Sequence, residues 1–147
     1  MLRRFYFLFL LPVLAGCLQS TKVTLEYINP PINLTVTQVA AQTYQISFFS
    51  DNREGGFVGY GIFTAASSAA ASVYPANDIA SATVFCTNSG QVNYKTTVTI
   101  QVGPSAAGGS ICNDTGLILT PGQFIALRGR VERTEEPWSE AAVAQVP

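Results

Sequence analysis

The chain of 147 residues contains three Cys, one Trp and no His, and that inventory decides which chemistry it can attempt. A serine or cysteine nucleophile is ordinarily activated by an adjacent base, most often His. Without one, a serine would have to use Lys22 or Lys95, and neither lies in a recognisable motif. No Gly-x-Ser-x-Gly elbow occurs. Paired carboxylates are the other route, as in glycoside hydrolysis. The candidates are Asp51, Glu54, Asp78, Asp114, Glu132, Glu135 and Glu136; most fall in turns, where solvated charges are the ordinary reading. Asp51, Asn52 and Glu54 give only a fragment of a calcium-loop spacing. Gly108-Gly109 reads as a turn rather than a nucleotide fingerprint. No catalytic residue, no metal ligand and no cofactor is therefore assigned. The expectation is a non-enzyme, with a carboxylate-dependent hydrolase as the least favoured alternative.

Binding is better represented. Arg128 and Arg130 stand two apart on one strand, so they share its outward face and can meet an acidic partner. The competing reading has their stems covering the sheet and their heads pairing with Glu132 or Glu140. Trp138 can serve as an aromatic anchor or pack under a sheet edge. The Ala- and Ser-rich stretch 65–82 is expected to be a variable loop surface, because recognition commonly sits on loops of a rigid scaffold. Eight basic against nine acidic residues give a net charge of −1. That balance excludes nucleic acid as a partner, since phosphate binding needs a dense Lys/Arg surface.

The N-terminus reads as an address. Arg3 and Arg4 precede the apolar run Phe5 to Leu11, which continues past Pro12 through Val13 and Leu14. Roughly ten apolar residues fall short of the 20 or so a membrane-spanning helix needs but suit a secretory signal. The run ends in Leu14-Ala15-Gly16-Cys17. This segment resembles the signal of bacterial lipoproteins, whose lipobox is an aliphatic residue, two small residues and Cys. The resemblance implies a diacylglyceryl thioether on Cys17, cleavage before it, and acylation of the new amine. Two or three acyl chains make such an anchor stable where one does not. Cleavage removes 16 residues and leaves 131, with six basic and nine acidic side chains and a net charge of −3. No later segment is apolar enough to span a membrane. Leu18, following the Cys, lacks the Asp linked to inner-membrane retention in some bacteria, which favours the outer membrane. Export also decides the other two cysteines: Cys86 and Cys112 form an even pair in an oxidising compartment and are expected to be a disulfide.

The remainder alternates with a period of two. Tyr44, Ile46 and Phe48 share a face, as do Val58, Tyr60 and Ile62; Val92, Tyr94, Val98, Ile100 and Val102; and Ile125, Leu127, Gly129 and Val131. Val23, Leu25 and Tyr27 alternate in the same way before Pro30-Pro31. The Ala run near residue 70 can form a helical turn, weakened by Ser67, Ser68 and Ser72. No segment sustains a helical period. Seven or eight short strands separated by turns predict an antiparallel β-sandwich.

Four segments, in order, resemble a fibronectin type III domain over residues 30–147. They are Pro31 to Val36 as the opening strand, Gly59-Tyr60-Gly61-Ile62-Phe63 as the third, Leu119-Thr120-Pro121-Gly122 as the corner before the sixth, and Trp138-Ser139-Glu140-Ala141 leading into the last. The resemblance implies an immunoglobulin-like sandwich. The chain departs from the pattern at the second strand, where Phe48 or Phe49 replaces Trp, and at the corner Tyr, replaced by Ile125. The stretch Ala65 to Gly116 is longer than that family needs. The organisation expected is a signal over 1–16, a lipidated Cys and tether over 17–29, and an elaborated sandwich over 30–147. Its partners would be the membrane, through Cys17, and a protein or a glycan; the glycan reading makes it a cell-wall or carbohydrate-binding accessory.

Overall fold

The computed structural model describes residues 27–87, 95–133 and 135–147. The signal segment, Cys17 and the expected strand positions Val23, Leu25, Val92 and Tyr94 lie outside those residues. Within them nearly all of the regular structure is strand. β1 (Ile32–Ala40), β2 (Thr43–Ser50), β5 (Thr96–Val102) and β6 (Cys112–Asp114) form one sheet in that order. β4 (Val84–Thr87), β3 (Phe57–Ala65), β7 (Phe124–Val131) and β8 (Ala142–Gln145) form the other. All pairings are antiparallel except β5 with β6, which run parallel. Strands come in consecutive pairs within a sheet, and the chain changes sheet after each pair, between β2 and β3, β4 and β5, and β6 and β7, giving an all-β, immunoglobulin-like sandwich.

The alternation explains the core. Tyr44, Ile46 and Phe48 of β2 and Val98, Ile100 and Val102 of β5 face Tyr60 and Ile62 of β3 and Ile125 and Leu127 of β7, all buried. Phe48 takes the place expected of a Trp and meets Tyr60 edge-on, ring centroids 4.6 Å apart. Registers slip twice in the β1–β2 pairing and, in β3–β7, between Phe57 and Gly59. An extra residue in a strand reverses which side chains face inward, so Phe57, not Val58, packs against the core and meets Tyr60 at 5.1 Å.

The corner before β7 also holds without a Tyr. Ile125 is wholly buried in the core. Gly122, at φ 84, makes the turn, and Gln123 Oε1 accepts from Thr120 N at 3.1 Å while Gln145 Nε2 donates to Gly122 O at 3.1 Å. Side-chain amides thus tie down the turn that a phenol hydroxyl would otherwise hold.

The long stretch after β3 is not a loose loop. Ser67 caps a single helical turn, α1 (Ser68–Ala71), by accepting from Ala70 N at 3.2 Å. The serine expected to weaken the turn instead starts it, because an N-cap hydroxyl satisfies an otherwise unpaired amide. A 3-10 turn, Ile79–Ser81, is capped in the same way by Asp78. No helix among the described residues is long and apolar enough to cross a membrane.

Candidate functional site

The expected binding residues do gather on one face, but that face is covered. Arg128, Arg130 and Trp138 all lie on the side of the β4–β3–β7–β8 sheet that points away from the core. Arg128 and Trp138 are each only 2% exposed and Arg130 is half-buried. Two readings are open for these side chains, a binding surface and a covered layer, and their burial fits the second: they form a layer on the outer side of the sheet, beneath the 65–82 stretch. The Arg128 guanidinium donates to three carbonyls, Ser139 O at 2.8 Å, Ser72 O at 3.1 Å and Val73 O at 3.1 Å. Burial lowers its pKa, while Tyr74 and Glu140 pull it back up. Neither Glu132 nor Glu140 forms a salt bridge with it among the described residues.

Trp138 is the centre of this layer. Its ring lies over Gly61, where a Cβ would come within 2.6 Å of Cζ3. Phe63 and Phe85 meet it edge-on at 5.1 and 5.9 Å, and the Arg130 guanidinium stacks 5.5 Å from it. Its Nε1 donates to Ala76 O at 3.0 Å. The signal for this in the sequence is the glycine pair, Gly59 and Gly61, on a strand whose outward side must accept a large ring.

A polar cluster closes the end of the sandwich near Tyr27. Ser50, Asn52, Glu54 and Tyr60 are all buried. Tyr60 Oη donates to Asn52 Oδ1 at 2.6 Å and also bonds Ser50 Oγ. Asn52 Nδ2 donates to Asn29 O at 2.9 Å and to Glu54 Oε2 at 3.2 Å, and Glu54 Oε1 accepts from Asn29 N at 2.5 Å. The segment Asp51 to Glu54, read as a solvated turn or a fragment of a calcium loop, thus spends Asn52 and Glu54 on holding the incoming chain. Asp78 and Asp114 are likewise engaged, Asp114 accepting from Gly116 N and Leu117 N at 2.8 and 2.7 Å. No group of three or more metal-ligating side chains occurs among the described residues.

Burial raises the Tyr60 phenol above its ordinary value of 10.0; the Ser50 hydrogen bond opposes this and the nearby Glu54 adds to it. Because the folded state holds that proton more tightly than the unfolded chain, stability is whole below about pH 10 and falls as the pH rises beyond it. Tyr74, also raised by burial, acts with the same sign. Tyr60→Phe should lower stability by about 1–3 kcal/mol at neutral pH, since Ser50 and Asn52 lose a buried partner. It should also flatten the alkaline decline. Urea melts at neutral pH and above pH 10 check both, and an unchanged alkaline slope would contradict the assignment.

Two open hollows flank this end. One, of about 260 Å³, lies between Tyr27 and Tyr74, with Arg133, Glu136, Ser139 and Glu140 around it and Trp138 at its base. The other, of about 300 Å³, shares Tyr27 and is bordered by Asn29, Asp51, Arg53 and Glu54. Tyr27 is 63% exposed and Tyr74 46%. Tyr74 is nevertheless fixed: its hydroxyl bonds Trp138 O, and the Arg128 guanidinium sits 5.1 Å from its ring centre. Arg133 is held by Nε, donating to Glu136 O at 2.9 Å, with Glu136 itself at φ 42, a conformation rare for a side-chain-bearing residue. Sequence reasoning placed Tyr27 on a half-buried strand and did not single out Tyr74. Compared with protein-family models, curated proteins and solved structures, the chain matches none.

Proposed function

We propose that this protein is a lipid-anchored, non-enzymatic binding module of a bacterial envelope, outer-membrane in the lineages where Leu18 after the Cys directs release. The use of its three cysteines carries the reading. Cys86 and Cys112 are bridged, Cα atoms 5.6 Å apart, and join the two sheets. Such bonds persist in oxidising compartments, which agrees with an export signal and leaves Cys17 for the lipid. Tyr27 stands ten residues beyond Cys17, a span of at most about 35 Å. The sandwich end that bears the two hollows would therefore stay close to the bilayer.

Expression in a bacterial host with labelled palmitate tests the anchor. The full chain should take up label and sediment with membranes, and Cys17→Ala should lose both. A wild-type chain without label, or a Cys17→Ala chain that still partitions with membranes, overturns the reading. Among ligands, a glycan is favoured over a protein by one observation: two exposed tyrosine rings border a single hollow.

A further inference from the structure

Resting on the binding-module reading, we infer that the paired hollows on either side of Tyr27 form a two-unit site for a neutral pyranose oligosaccharide. A sugar ring presents an apolar C–H face and a rim of hydroxyls. It is matched by a flat aromatic surface with hydrogen-bonding side chains around it. The first hollow supplies two such surfaces, Tyr27 and Tyr74, with Glu136, Glu140, Ser139 and Arg133 at its edge. The second continues from the other side of Tyr27 to Asp51, Glu54, Asn29 and Arg53. A ring shared by adjacent hollows suits consecutive units of a chain rather than one isolated sugar.

Tyr74 is exposed yet locked, by its hydroxyl on Trp138 O and by the Arg128 guanidinium over its ring. A surface aromatic fixed in advance loses little side-chain entropy on binding. Asp51 and Arg53 border the second hollow as an ion pair, Oδ1 4.0 Å from Nε, and so offer sugar hydroxyls both an acceptor and a donor group. Charge selects the class of glycan. Each hollow carries two carboxylates and one guanidinium, which disfavours uronic acids and phosphorylated sugars.

Trp138 is the sole tryptophan and lies at the base of the first hollow, so its fluorescence reports occupancy directly. The full-length protein in detergent micelles is titrated with N-acetylglucosamine tetrasaccharide, glucose tetrasaccharide and, as the anionic control, galacturonic acid tetrasaccharide. Saturable change is expected with at least one neutral probe and not with the acid. Tyr27→Ala and Tyr74→Ala should each weaken binding about tenfold or more, the range of a central aromatic anchor. Tyr27→Phe should retain it. Tyr27 is exposed at the end of the described body, so its variants test the site without touching the core. The site is refuted if neither neutral probe binds at millimolar concentration, if the acid binds in preference, or if Tyr27→Ala binds as wild type. None of these results affects palmitate incorporation at Cys17, on which the anchored-module reading stands or falls separately.

Discussion

Replacing Cys86 and Cys112 together by Ala should lower the unfolding free energy by about 3.5 kcal/mol, the chain-entropy value for a loop of this length. The two cysteines are 26 residues apart and join the open edges of the two sheets, β4 and β6. The opposite side of the sandwich closes differently, through contacts of β1 with β8. Edge strands without such closure are where a sandwich opens first. β6 is three residues long and pairs only with β5, so little else holds it. In a domain of this size the loss should appear as a fall in melting temperature on the order of 10 °C. Reductant should reproduce it in the wild type and leave the double variant unmoved. If the double variant melts within 2 °C or so of wild type, the bridge does not limit opening of that edge.

The sandwich was legible because its core obeys a two-residue period. Ile125, Leu127 and Val131 on one side of β7, and Val98, Ile100 and Val102 on β5, are fixed by alternation alone. What alternation cannot tell is whether the other side of a sheet faces water. Arg128 and Arg130 occupy the positions expected of exposed residues, and they do point away from the core. A second layer, built from the 65–82 stretch and Trp138, covers them there. That layer depends on backbone carbonyls of a loop meeting a guanidinium, an interaction with no residue-type pattern. The Phe57–Gly59 slip was hidden for a related reason: one extra residue in a strand leaves the composition unchanged but exchanges its faces. β6 escaped because three residues are too few to show a period. The hollow between Tyr27 and Tyr74 joins positions 47 apart in sequence, brought together only by tertiary packing. The Cys86–Cys112 pair, by contrast, was readable without geometry, from the even count that remains when Cys17 is set aside for the proposed lipid.

Trp138→Ala should destabilise the protein by about 3–5 kcal/mol, the usual range for deleting a buried Trp and a large share of the roughly 5–15 kcal/mol available to a domain. The ring spans Gly61, Phe63 and Phe85 on the outer layer, and removing it leaves Ala76 O without its 3.0 Å donor. Arg128→Met should act on the same layer by a different route, leaving the carbonyls of Ser72, Val73 and Ser139 unpaired beneath it. A double-mutant cycle separates this account from a general loss of packing. Gly61→Ala alone should cost about 1–3 kcal/mol, since its Cβ would overlap the indole at 2.6 Å. In the Trp138→Ala background the same substitution should cost little, because the overlap is gone. Circular dichroism is the proper readout, as the variant lacks the sole tryptophan. Strict additivity of the two substitutions would show that the ring does not rest on Gly61. A Trp138→Ala protein as stable as wild type would mean that the covering layer floats on the sandwich instead of being bonded to it. In that case the fixed position of Tyr74, which depends on Trp138 O and Arg128, would lose its support as well.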